Sequence, residues 1–276
     1  MLSQPIILRF LLSCLLLAGL TACNSLQKEI VIPQAPYEQQ LVVECYLEQG
    51  KPYRLLLTES VNYLAPPQVP IVNNATVKIS YDGQTDELES KALIDSTNRK
   101  GYNYILEKEV TGTENTEYTL ELTDPKGRKV TGNTRFLPQV PIKKIDWGFN
   151  DKAKAYLTVT LDDPPTEQDY YRLLVTIDSL TGEVKTQFVF DDLINTNHEI
   201  TLGTRYNFED GDTIFVSLFH IDKPYYDFLQ SANTAANANG NPFGQPSQVK
   251  STVKGGIGIF TALVYDRKRI IIKKKP

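Results

Sequence analysis

The sequence predicts a mainly β protein arranged as two β-sandwich domains, with one short helix in the second. Three observations carry this expectation. Apolar and polar residues alternate with a period of two through most of the chain. Turn signals of the Asp-Gly and Asp-Pro-x-Gly kind separate the alternating runs. A single stretch near 223–236 has helical spacing instead. The expected organisation is a signal peptide over 1–22, a lipidated tether over 23–34, a first sandwich over 35–138 and a second over 139–276.

The first 23 residues form the chain's clearest motif. Leu20-Thr21-Ala22-Cys23 reads as a lipobox, the site at which a signal peptidase cuts before a lipidated cysteine. The apolar run from Phe10 to Leu20 precedes it, with Arg9 on its N-terminal side. That run is about half the roughly 20 residues needed to span a bilayer, so it fits a signal h-region. Cys23 would begin the mature protein carrying several acyl chains. Two or more chains anchor stably, because each buried methylene contributes about 0.8 kcal/mol. The residues that follow, through Ile30-Val31-Ile32-Pro33, read as the tether.

Strand signals then dominate. Thr76 to Tyr81 alternates, with Val77, Ile79 and Tyr81 on one face, and Asp82-Gly83 marks a hairpin turn. Tyr118 to Thr123 alternates again, the Asp124-Pro125-Lys126-Gly127 turn follows, and Lys129 to Phe136 returns. Pro138 and Pro141 resist continuation of a helix or a central strand and mark the domain boundary. Alternation resumes with Ile145, Trp147 and Phe149, and with Leu157, Val159 and Leu161. Further strands are expected at 170–177, 185–190, 213–221, 258–265 and 269–273. The helix near 223–236 has Asp222 as cap, Pro224 in its first turn, and Tyr225, Phe228, Leu229 and Ala232 at i, i+3, i+4 and i+7. The polar connection from Ser231 to Ser251 reads as loop.

Composition excludes several function classes. The chain has 276 residues and a formal net charge of −4, with no basic face suited to nucleic acid. Of three cysteines, Cys14 leaves with the signal peptide and Cys23 holds lipid. Cys45 then has no intramolecular partner, so no disulfide framework forms. Only two histidines occur. His220 shares strand parity with Ile214, Val216 and Leu218 and is expected to be buried, while His198 lies in a polar run. No nucleophile elbow, P-loop or H-E-x-x-H motif is present. Asp162-Asp163, Asp191-Asp192 and Glu209-Asp210-Gly211-Asp212 offer oxygens for Ca²⁺ or for acid–base work. None has EF-hand spacing, and Asp also favours turns for its own backbone bonding. No catalytic, cofactor-binding or metal-ligating residue is assigned. The one site residue expected is Cys23, for lipidation.

Several stretches, in order, resemble the Bacteroidetes lipoprotein family called domain of unknown function 4249. They are Cys23 with Glu29-Ile30-Val31-Ile32-Pro33, Leu41-Val42-Val43-Glu44 with Gly50 and Pro52-Tyr53, and Pro70 to Val77. Asp162-Asp163-Pro164-Pro165 with Tyr170-Tyr171-Arg172 follows. The most specific part is Ile221 to Leu229, Asn241-Pro242-Phe243 and Gly255-Gly256-Ile257-Gly258-Ile259-Phe260. The resemblance implies an outer-membrane lipoprotein that acts beside a TonB-dependent transporter, with a first domain like the immunoglobulin-like or carboxypeptidase-regulatory-like sandwiches, and it brings no catalytic residue or cofactor. The expected function is thus a non-enzymatic accessory or binding subunit of an envelope complex, anchored in the outer membrane through Cys23. The alternative is a stand-alone surface module that binds glycan or protein.

Overall fold

The computed structural model describes residues 37–62, 65–66, 68–96, 99–163, 168–193, 199–238 and 248–274. The expected signal peptide, Cys23 and the tether lie outside the described residues, as do His198 and Asn241-Pro242-Phe243. The chain divides into Met1–Glu38 and Gln39–Pro276, and the account below concerns the second unit.

Two hydrophobic cores organise it. The first lies between two layers of strands. One layer contains β1 (Leu41–Glu48), β2 (Pro52–Glu59) and β5 (Lys100–Glu109); the other contains β3 (Thr76–Tyr81), β6 (Glu117–Thr123) and β7 (Lys129–Arg135). The burial of alternate residues follows the sequence pattern. Leu41, Val43, Cys45 and Leu47 point inward from β1, against Tyr118, Leu120 and Leu122 from β6. One long strand, β4 (Gln84–Asp95), serves both layers. Gln84 to Leu88 pair with β3, and Glu89 to Asp95 pair with β5 across an irregularity between Ser90 and Leu93. The Asp82-Gly83 turn has positive φ at both positions, 44° and 72°, as the tight hairpin requires.

The second core lies under β10 (Tyr170–Ile177), β11 (Val184–Asp191) and β13 (Thr213–Ile221), faced by a separate three-stranded sheet. That sheet has the order β12 (Glu199–Gly203), β9 (Ala155–Asp162) and β8 (Ile142–Phe149). Phe136 lies in the first core and Val140 in the second.

A single strand joins the two. β15 (Ile257–Ile271) runs parallel to β1 through Leu263 and antiparallel to β13 from Val264 onward, giving a continuous 12-stranded order. Val253, Phe260 and Ala262 thereby complete the first core from the far end of the chain. The sequence predicts two strands here, broken near Asp266; the structure has one. Asp266 does not break it, because its carboxylate accepts the Ile142 N–H at 2.8 Å while the ladder continues to Ile271.

Glycine makes this entry possible. A Cβ on Gly258, at φ +123°, would lie 1.9 Å from the Val43 carbonyl oxygen. One on Gly255, at φ +79°, would lie 2.2 Å from the Lys129 carbonyl oxygen. No other residue admits β15 so close to β1 and to β7, which is flanked by the two-residue β14 (Val253–Lys254).

The helix, α1, spans Lys223–Ala238, beyond the expected 223–236, so the start of the expected loop from Ser231 is helical. Asp222 caps it by accepting the Tyr225 N–H at 2.9 Å. Burial nonetheless pushes the Asp222 carboxyl above its usual range, against the bonds from Tyr225 and Thr134. The helix packs Tyr225 on the outer sheet face beside Tyr170, Phe219, Ile221 and Ile259. Tyr171 faces the second core, whereas Tyr170 leaves that side and is buried in the cluster around the helix, with the Tyr226 ring 4.8 Å away.

Candidate functional site

The strand ends of the second core bring three carboxylates together. Asp163 follows β9, Asp169 precedes β10 and Asp192 follows β11, and one oxygen of each lies within 4.8 Å of the others. Antiparallel pairing explains the second contact. Tyr170 sits opposite Asp191, so Asp169 falls opposite Asp192, and the Asp169 N–H reaches the Asp192 carboxylate at 3.2 Å. Asp163 is buried and accepts the Tyr171 hydroxyl at 2.5 Å.

His220 completes the cluster from β13. Its Nδ1 contacts the Pro138 carbonyl oxygen at 2.7 Å, and its Nε2 contacts Asp169 at 3.1 Å. The Pro138 carbonyl can only accept, so in that contact Nδ1 is the donor. Tyr171 stacks on this ring at 5.3 Å. Burial raises the Asp163 carboxyl above the usual carboxylate range, and the nearby charges of Asp192 and Asp169 add to the rise, against the Tyr171 bond. Burial and the Asp163 bond together push the Tyr171 hydroxyl upward.

This arrangement can share a proton or accept a cation. Three carboxylates offering one oxygen each supply fewer ligands than the six to eight that Ca²⁺ takes. The neighbouring groups are a tyrosine whose hydroxyl is held by a carboxylate and a histidine held at both nitrogens.

The other sequence candidates disperse. Asp162 is outward and pairs with Lys143 at 2.9 Å. Asp191 accepts the Tyr226 hydroxyl at 3.2 Å. In the acidic turn, Glu209 pairs with Lys154, Asp212 accepts the Glu209 N–H, and Asp210 accepts the Lys274 N–H. Cys45 is fully buried, and burial pushes its thiol far up, so it packs as a small apolar residue. His220 is buried, as its strand parity predicts. Sequence reasoning missed Asp169. The signal that could have found it is the register of the β10–β11 hairpin, which places 169 opposite 192.

A family model described as "Domain of unknown function (DUF4249)" matches residues 27–269. No curated protein matches the chain. Among solved structures, it is similar to a two-domain fibronectin type III segment of chicken tenascin, with 18% identity over 66% of this chain and 91% of that one, at a TM-score of 0.21. A structure titled as a cytokine receptor complex shares 9% identity over 67% of this chain and 86% of that one, at a TM-score of 0.27. A DUF4785 family protein from Legionella pneumophila shares 12% over 64% of this chain and 52% of that one, at a TM-score of 0.24. These likenesses carry no functional argument.

Proposed function

We propose that this chain, which belongs to the domain of unknown function family DUF4249, is a lipid-anchored outer-membrane accessory or binding subunit of an envelope complex such as a TonB-dependent transporter. The observation that carries this reading is the lipobox ending at Cys23, behind an apolar run too short to span a bilayer. Among the described residues no helix is long and apolar enough to cross a membrane, so an anchor would come from the acyl chains. Among the described residues, the side chains of the acidic corner and the acidic turn are held by one another or by turns. That favours a binding role over a hydrolytic one.

Two measurements test the reading. Wild-type protein should fractionate with outer membranes and carry acyl chains on Cys23, and Cys23→Ala should release it. A tagged copy, drawn from gently solubilised native membranes, should bring a stoichiometric outer-membrane partner. Recovery of the anchored protein alone would discard the accessory role in favour of the stand-alone binding module.

A further inference from the structure

An apolar strip is exposed beside the point at which the chain enters the unit described above. That unit begins at Gln39. The Gln40 N–H donates to the Ser60 hydroxyl and the Ser60 N–H to the Gln40 carbonyl, both at 2.9 Å, so the entry is held against the end of β2. The chain after β2 then doubles back along it. The Glu59 N–H donates to the Pro70 carbonyl at 2.9 Å, and Ile71 pairs antiparallel with Thr58. Val69, just before Pro70, therefore falls level with Ser60 and Gln40.

One row of the register runs across this end. Ile71 stands opposite Thr58, Thr58 opposite Val42, and Val42 opposite Ile257. Thr58 is buried and Val42 partly so, whereas Ile257, Ile71 and Val69 keep 37%, 47% and 70% of their surface exposed. The acids flanking the strip on β1 and β2 are neutralised: Glu59 pairs with Lys126 and Arg128, and Glu44 with Lys100. Leu180, Val184 and Ile271 are comparably exposed at the opposite end of the unit, where Ile177 stands opposite Ile214 and Ile214 opposite Ile270. At roughly 3.3 Å per residue, that end is about 43 Å from Ile257 along β15. Exposure does not separate the two ends; the attachment of the chain does.

We propose that this strip rests on the lipid bilayer that holds Cys23, with Val69, Ile71 and Ile257 entering the interface. The proposal rests on the lipid-anchor reading above. Cys23 precedes Gln39 by 16 residues, so the anchor lies at most about 55 Å from the chain entry. Acyl chains that confine the protein to the membrane make contact by the strip an intramolecular step at high effective concentration. A small apolar area then suffices, where the same area would not hold two free proteins together. Contiguous apolar surface rimmed by polar groups marks an interaction site. The surface that the anchor brings to this one is lipid.

The test uses protein purified from native membranes and reconstituted into phosphatidylethanolamine–phosphatidylglycerol vesicles, with and without doxyl-labelled lipid. An NBD fluorophore is placed on V69C or on L180C. Cys45 is fully buried, and on the anchor reading Cys23 is acylated and Cys14 removed, so the introduced thiol alone reacts. The label at position 69 should shift to the blue on vesicles and be quenched by doxyl lipid several-fold more than the label at position 180. Adding I71E should remove most of that quenching, while flotation and the unfolding midpoint stay unchanged. Equal quenching at both positions, or quenching that survives I71E, overturns the proposal. So does a blue shift that depends on protein concentration and not on lipid, which marks a second copy on the strip. Flotation separates the two readings. Protein that floats with the vesicles but shows no quenching at position 69 removes the strip's contact and leaves the anchor standing. Protein that does not float removes both.

Discussion

Two buried aspartates stand just past strand ends, one after β6 and one after β9, and their surroundings are opposite. Asp124 follows β6 and meets only donors. Its Oδ1 accepts the Lys126 and Arg128 N–H groups at 3.0 and 2.8 Å, and its Oδ2 accepts the Arg128 side chain at 2.9 and 2.6 Å. Burial alone would raise its pKa, but the Arg128 and Lys126 bonds together outweigh it and hold the carboxyl below its usual value. Asp163 follows β9 and meets one donor, Tyr171, beside two further carboxylates. Its carboxyl is raised. Burial in a strand-end corner is common to both, so burial does not separate them; the count of donors against acceptors does. Asp124 sits among donors that satisfy its charge, whereas Asp163 sits in an acidic corner with Asp169 and Asp192.

The largest effect should come from breaking the closure of the first core. Gly258→Ala would place a methyl group 1.9 Å from the Val43 carbonyl oxygen at a φ that L side chains rarely adopt. A loss of about 3 kcal/mol or more is expected, measured by denaturant unfolding. Gly203→Ala in β12 is the matched control, since its Cβ meets nothing within 4 Å. It should change stability by no more than about 0.5 kcal/mol. Equal losses at both positions would refute the role given to close strand approach.

Asp124→Ala comes next. It leaves several donors unpaired around a buried position, and about 2–3 kcal/mol should be lost. The pH dependence has a definite sign. The folded carboxyl lies below its unfolded value of about 3.9, so its stabilisation is present above that pH and is lost as pH falls through the folded value. Wild type should therefore lose this increment in acid, and D124A should not.

Asp163 should behave in the reverse sense. Its folded carboxyl lies above the unfolded value, so its contribution is present below the unfolded pKa and lost as pH rises through the folded one. Asp163→Asn keeps an acceptor for Tyr171 and removes one negative charge. Stability at neutral pH should rise modestly, on the order of 1 kcal/mol or less, and its dependence on pH in the carboxylate range should flatten. A fall in stability, or an unchanged pH profile, would show that the acidic corner is balanced as well as Asp124 is.

The smallest effect is expected for R267Q/R269Q, whose side chains hold no ion pair among the described residues. Its unfolding midpoint should stay within about 0.5 kcal/mol of wild type. A larger drop would make these arginines part of the fold's stability and not only of its surface.

Whereas β4 and β5 were not assigned from the sequence, the strands β3, β6 and β7 on either side of them, the Asp82-Gly83 and Asp124 to Gly127 turns, the burial of His220 and the Asp222-capped helix were legible in it. Each is a local property. Alternation shows which side chains share a face, a positive φ calls for glycine or a short polar residue, and a cap bonds an N–H three residues away. Tertiary structure decided what lay between distant segments. The parallel pairing of β15 with β1, the single strand continuing past Asp266, the helix over Tyr170 and the meeting of Asp163, Asp169 and Asp192 all join positions remote in sequence. The same alternating strand can pair with many partners, so its partner is chosen by where glycine permits close approach and where two sheet faces bury most apolar surface together. Those choices belong to the whole fold.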